Sequence, residues 1–301
     1  MFDIKNPKVA IPIVLFAGIF WSFGPYVVRH INDAHTVPWQ YLFTRGLVIF
    51  ILLNIYLFLE EGIEFYKNYL KIGISGLIGG IGLGIAMTTF IWSITNTSAA
   101  ITLLCLAAMP FITALLGFLF LKENISTSVW VSIFISAIGI IIMAFGNKNS
   151  GSFFGLIFGM LSSLGFAIFS VSLRWRKDTP KFTTVAIAGL FCVLLSGVII
   201  VYNENSFLSS GQNQALFATH GTLVCFGLIL YSIGSKHIPA AELTLLSLTE
   251  VIGGIFWVWL PLFGINEVPD SNTIIGGFFL FISLFYYSLV MRWNKRYIGL
   301  N

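Results

Sequence analysis

Two ionisable residues stand where a sequence this apolar should not tolerate them. Glu250 lies about eleven residues into the run that starts at Ala240, and Arg45 some seven residues into the run that starts at Pro38. Placing a charge in a bilayer costs roughly 2.5–3.5 kcal/mol on insertion scales, and such a group usually faces a cavity or a partner. A desolvated carboxylate at Glu250 suits a proton carrier or a counter-ion for a cationic solute group. It equally suits a hydrogen-bonded Glu that joins two helices and never meets a solute. Arg45 has the fork geometry to take a carboxylate bidentately, or to hold helix-end carbonyls instead.

Aromatic and amide side chains complete the candidate set. Trp21, Tyr26, Trp92, Tyr231, Trp257 and Tyr286 fall within apolar runs, where ring faces would suit an aromatic or alkylammonium solute by stacking or cation–π attraction, and Asn96, between the third and fourth runs, is a further binding candidate. Trp39, Trp175 and Trp293 sit near run ends and read as interfacial anchors. His30 and His35 fall where the first run ends, as pH-sensing or plainly solvated residues. Glu242 reads as a helix-start acid able to snorkel. Gly24-Pro25 is expected to break or kink the first run, as a gate or a simple bend.

These residues must be positioned by membrane helices. Of the 301 residues, 57% are hydrophobic and only 9% charged, with a mean hydropathy of +0.92. A spanning helix needs roughly 20 mostly apolar residues. Ten such runs fall at 10–28, 38–58, 71–92, 98–121, 127–145, 153–173, 183–202, 214–233, 240–263 and 273–291. The first follows Lys5 and Lys8 as a signal peptide would, yet is long and lacks a small-residue cleavage site, so it is expected to be retained. The short connections leave no room for an appended catalytic or nucleotide-binding domain.

The net charge of +4 is unevenly spread. With the N-terminus cytoplasmic, the inner side collects thirteen of the sixteen Lys and Arg residues: Lys5, Lys8, Lys67, Lys71, Lys122, Arg174, Arg176, Lys177, Lys181, Lys236, Arg292, Lys295 and Arg296. Arg29 and Lys148 remain outside. The bias of basic loops towards the cytoplasm therefore supports ten helices with both termini inside.

The chain also repeats itself. The stretch from Ser98, SAAITLLCLAAMPFITALLGFLFLKENIS, aligns with PAAELTLLSLTEVIGGIFWVWLPLFGINEVP from Pro239, Ala99 over Ala240. Each copy ends in a Glu, Glu123 or Glu267, and is followed by a glycine-containing last helix, with Gly139 or Gly276-Gly277. Five helices per half is odd, so the halves, 1–148 and 149–301, are expected to lie inverted about an axis in the membrane plane. Such symmetry gives two near-equivalent conformations open to opposite sides, as alternating access requires.

Trp21 to Phe23, Arg45, Pro110, Glu123, Glu250, Glu267, Gly139 and Gly276 together make the chain resemble the drug/metabolite transporter superfamily, of the ten-helix EamA type, over nearly its whole length. The resemblance implies a multi-pass carrier of small metabolites, often proton-coupled or an exchanger, with no ATPase of its own. One departure is Val251, where many relatives carry Pro after the mid-helix Glu, so the ninth helix is expected to be straighter than the fourth at Pro110.

The reading is thus an all-α membrane protein, in a bacterial plasma membrane, whose partners are a small-molecule solute, the lipid bilayer and a possible coupling proton. Amino acids and quaternary amines are the expected solutes. A non-transporting subunit, or a membrane-embedded lipid enzyme using Glu242 and His237, are the alternatives. No Walker loop, HExxH, GxSxG or Cys/His metal spacing occurs, and no cofactor or metal is expected. Cys105, Cys192 and Cys225, all in apolar runs, read as small buried hydrophobes. Gly76, Gly80 and Gly84, and Gly151, Gly155 and Gly159, have the four-residue spacing of close helix packing.

Overall fold

In hydrocarbon a backbone amide finds no water, so a spanning segment must bond its polar groups internally, and an apolar run of sufficient length becomes a helix. The computed structural model describes residues 7–122, 127–146, 150–176, 178–235, 238 and 240–297. Among them the regular elements are helices throughout: α1 Pro7–Arg29, α2 Pro38–Glu61, α3 Lys67–Leu70, α4 Gly73–Asn96, α5 Ala99–Leu106, α6 Met109–Leu121, α7 Thr127–Gly146, α8 Ser150–Trp175, α9 Lys181–Tyr202, α10 Gly211–Gly234, α11 Ala240–Leu246, α12 Thr249–Trp259 and α13 Ser271–Tyr297, with 3-10 turns at Gly62–Tyr66 and Pro261–Phe263.

Eight segments are long and apolar enough to cross a membrane, taking α5 with α6 and α11 with α12 as one each, and α7 and α13 contribute shorter apolar stretches, Thr127–Met143 and Ser271–Tyr287. Large side chains such as Phe16, Leu59, Phe120, Phe134, Val198 and Phe285 point outward, as a protein solvated by lipid requires.

The helices pack in a set of pairs. α4 lies along α8 and α9, α10 along α1 and α2, α2 along α9, and α7 along α13; α1 also meets α12, and α8 meets α5 and α6. Glycines set the closest approaches. A Cβ at Gly165 would stand 2.5 Å from the Gly82 carbonyl, and one at Gly139 2.6 Å from the Gly276 carbonyl. The α4–α8 and α7–α13 seams therefore run backbone against backbone.

Two points bear on the sequence reading. Of the break or kink expected at Gly24-Pro25, the break is absent: α1 is helical through both Pro12 and Pro25. The Pro25 ring is accommodated by Gly254 of α12, where a Cβ would come within 3.1 Å of it. The ninth segment, although it lacks the proline, is interrupted at Ser247-Leu248, as the fourth is at Ala107-Ala108.

The first break precedes Pro110, whose ring cannot continue a helical hydrogen-bond ladder. The second has no proline. There Leu248 and Glu250 bond back three residues, to Leu245 and Ser247 carbonyls at 3.3 and 3.0 Å, the tighter 3-10 pattern. Hydroxyls take up the neighbouring carbonyls: Thr244 donates to Ala240 and Ala241, Ser247 to Thr244 at 2.8 Å, and Thr249 to Leu246 and, across to α1, Leu15. Side-chain hydroxyls compete with the ladder for backbone acceptors and so do the work of the missing ring.

At the end where α1 finishes, Arg29 gathers four elements. Its Nε donates to Glu267 at 2.6 Å, Nη1 to the Ile94 carbonyl at 2.7 Å and Nη2 to the Thr97 carbonyl at 2.9 Å. Glu267 also accepts from the Ala99 amide at 2.5 Å. The last turn of α4, the first of α5 and the loop before α13 are thus tied to α1. Glu123, the counterpart of Glu267 in the first half, lies outside the described residues.

Candidate functional site

A cavity of about 50 Å³ opens at the centre of the bundle. Its walls come from α1 (Trp21), α2 (Arg45), α4 (Leu83, Ala86, Met87, Phe90), the ends of α5 and α6 at their break (Leu106, Met109), α8 (Ser162, Phe166), α10 (His220, Val224, Leu228) and α12 (Glu250). Most of the lining is apolar, with a few convergent polar groups, as in small-molecule sites. The space holds only a few waters.

Both interrupted segments reach this cavity at their interruptions. Leu106 and Met109 flank the first, and Glu250 stands in the first turn of α12, just past the second. Irregular backbone at membrane depth is tolerated where it borders a cavity.

The two intramembrane charges therefore line one space. Arg45 is buried, with its Nε and Nη1 lacking hydrogen-bond partners, and its guanidinium carbon lies 5.6 Å from the centre of the Phe90 ring. Glu250 is partly exposed into the same space. The ion pairs among the described residues are Arg29–Glu267 and Lys67–Glu64, so Arg45 and Glu250 do not neutralise each other by contact.

Trp21 forms part of the wall. Its indole donates to the Val224 carbonyl at 3.2 Å, fixing α1 against α10, and its ring meets Phe166 edge-on at 5.6 Å. Tyr231 lies behind these two rings, 5.5 Å from Trp21 and wholly buried, with its hydroxyl 2.7 Å from Ser170 Oγ.

The remaining sequence candidates lie away from the cavity lining. Tyr26 packs on His30 at the end of α1, and His30 Nδ1 is 2.9 Å from the Tyr26 carbonyl. Trp92 meets Trp39 and Phe158. Asn96 is exposed and donates to the Trp92 carbonyl. Trp257 stacks on Phe23 at 4.8 Å and donates to Ser22 at 3.0 Å. Tyr286 is on α13, which packs on α7 at the edge of the bundle. Pro25 lies against α12, whereas Gly24 makes room for the His220 ring, whose Nε2 a Cβ there would approach to 2.7 Å. Glu242 opens α11, and His237 lies outside the described residues.

His220 was not among the sequence candidates. It is 1% exposed, lines the cavity beside Arg45, and its Nδ1 is hydrogen-bonded to the Tyr41 hydroxyl. The signal was present, since an ionisable side chain inside an apolar run is the same cue that marked Glu250. Among the described residues no His, Cys, Asp and Glu gather in a group able to hold a metal ion.

Residues 8–145 match the EamA-like transporter family. Over this first part the chain is similar to the EamA-like transporters. Its curated relatives include an uncharacterized transporter of Helicobacter pylori strain J99, 24% identical over 82% of this chain and 84% of that one. The uncharacterized transporter YojE of Bacillus subtilis strain 168 is 26% identical over 85% of each. The pseudopaline exporter CntI of Pseudomonas aeruginosa strain PAO1 is 22% identical over 69% of this chain and 72% of that one. A solved crystal structure shares the fold, with a TM-score of 0.67 at 16% identity over 96% of this chain and 100% of the other. This similarity, with eight segments long and apolar enough to cross a membrane, marks an integral, multi-pass membrane protein of the bacterial inner membrane type.

Proposed function

We propose that this protein is a secondary carrier that moves a small organic metabolite, an amino acid, quaternary amine or similar amphipathic solute, by alternating access. The observation that carries the reading is the central cavity, which holds an Arg and a Glu that form no ion pair with each other, inside apolar and aromatic walls. Leaving an arginine and a carboxyl group unpaired at membrane depth is costly, and a solute that pairs with them supplies the missing compensation.

The pattern of helix pairing supports two inverted halves, 1–148 and 149–301, of five segments each. Exchanging the halves turns the α4–α8 pair into α10–α1, and α4–α9 into α10–α2, while α2–α9 and α7–α13 map onto themselves. A pseudo-two-fold axis in the membrane plane has this effect, and rocking about the central site gives the two access states. Ten spans with both termini cytoplasmic, as the Lys and Arg distribution favours, belong to the same proposal. Glu250 is the group placed to carry a coupling proton or to meet a cationic substituent of the solute. A relative that exports pseudopaline supports a solute-moving role.

The test is a thermal-stability screen of the purified protein against amino acids, quaternary amines, nucleosides and sugars, with Glu250→Gln alongside. Ligand at about a thousand times its Kd stabilises by roughly 4 kcal/mol. A shift with one solute class that Glu250→Gln abolishes is expected. Shifts indifferent to that substitution would remove Glu250 from the site, and a non-transporting subunit would show none.

A further inference from the structure

We propose that Arg45, His220 and Tyr41 form a carboxylate-binding subsite at one pole of the cavity, so that the transported solute carries a carboxylate. The inference rests on the cavity being the solute site and adds which chemical group is recognised there and by which residues.

The primary observation is the idle guanidinium. Arg45 is 4% exposed and lines the cavity, yet Nε and Nη1 bond to nothing. Buried donors are nearly always satisfied, and an unsatisfied charged one is among the costliest arrangements in a protein. The Phe90 ring face, at 5.6 Å, compensates only in part. Glu250 shares the cavity without reaching Arg45.

The surroundings build a site rather than merely bury a charge. Tyr41 stands one helical turn before Arg45 on α2, so both project to the same side. Its hydroxyl bonds His220 Nδ1 from α10. A phenol is a good donor, and in the tautomer whose Nδ1 accepts from it the ring keeps an Nε2–H, a second donor beside Arg45 in the cavity lining. Tyr41 is thus a positioning residue that acts through His220.

Two glycines make the geometry attainable. Gly221 lets α10 come onto α2 at Arg45, where a Cβ would stand 3.1 Å from the Arg45 carbonyl oxygen. Gly24 clears the space beside His220 Nε2. One cation, apolar neighbours and about 50 Å³ suit a compact monoanion better than a phosphate, which brings more charge and a larger hydrated head.

The test uses the purified full-length protein and matched probes: leucine with leucinamide and isoamylamine, and phenylalanine with phenylalaninamide and phenethylamine. Thermal stabilisation and uptake into proteoliposomes are read for the wild type, Arg45→Gln, Arg45→Lys, His220→Gln and Tyr41→Phe. The expected result is tighter binding of the acids than of their amides and amines. Arg45→Gln should remove that preference, weakening the acids roughly 10- to 100-fold more than the carboxyl-free probes. Arg45→Lys should restore part of it, and His220→Gln and Tyr41→Phe should reduce it. If Arg45→Gln cannot be purified, the last two variants carry the same comparison.

Amides or amines that bind as well as the acids, or an acid preference intact in all variants, overturn the subsite while leaving the carrier reading standing. Silence from every one of these probes, with a shift from a carboxyl-free solute of the wider screen, also overturns the subsite alone, and silence across both panels overturns the carrier reading with it.

Discussion

Arg29 shows how much one side chain can organise at the rim of a membrane bundle. It meets Glu267 and two carbonyls at the end of α4, and Glu267 in turn caps the first amide of α5. Charge-assisted bonds of this kind are the strong ones, and removing one partner strands the other. Arg29→Ala should lower stability by roughly 1–3 kcal/mol, and Glu267→Gln by less, because the amide oxygen still accepts from Ala99. Thermal melts in detergent separate the two, and equal melts for Arg29→Ala and wild type would show the network to be idle. Glu250 and Arg45 were legible in the sequence because charge is conspicuous in an apolar run. Their sharing one cavity was not, because they lie two hundred residues apart and only the packing brings them together. His220 was legible by the same rule and was passed over in favour of the histidines near run ends. The aromatic candidates dispersed because an aromatic inside an apolar run has many ways to be buried, and only Trp21 reaches the cavity wall.

At the scale of the elements, apolar length located the long helical segments to within about six residues, since a backbone in lipid has few alternatives, but not the short α3. What length could not give was the interruption of the ninth segment, because proline is an obvious breaker whereas Ser247 and Thr249 break the ladder through hydroxyl bonds that ordinary helices also contain. The spacing of Gly76, Gly80 and Gly84 on α4 did announce close packing, and the structure identifies its partner as α9, while α8 is met by Gly79 and Gly82, which that spacing did not include. Gly165→Ala tests that seam: the new methyl would stand 2.5 Å from the Gly82 carbonyl and 2.8 Å from the Ala86 amide nitrogen. Backbone cannot yield as a side-chain end can, so a loss of about 1–3 kcal/mol is expected, with slowed transport if α4 and α8 move against each other. A variant as stable and as active as wild type would mean that the seam opens freely.

For the molecule as a whole, the proposed orientation is open to a direct check. All three cysteines are buried, so a membrane-impermeant maleimide should leave the wild type unlabelled on intact cells. A cysteine at the exposed Glu204 or Leu208, between α9 and α10, should react there, whereas one at Arg176, after α8, should react only once the membrane is opened. The opposite pattern would invert the topology. The fourth and ninth segments are interrupted differently, one beside a rigid ring at Pro110 and the other by a set of rotatable hydroxyls around Ser247. A carrier whose halves were chemical twins would spend equal time facing each side when empty. Under the proposed alternating access, the exchange of roles between the halves trades a stiff joint for a supple one, and the empty protein is expected to wait longer on one side of the membrane than on the other.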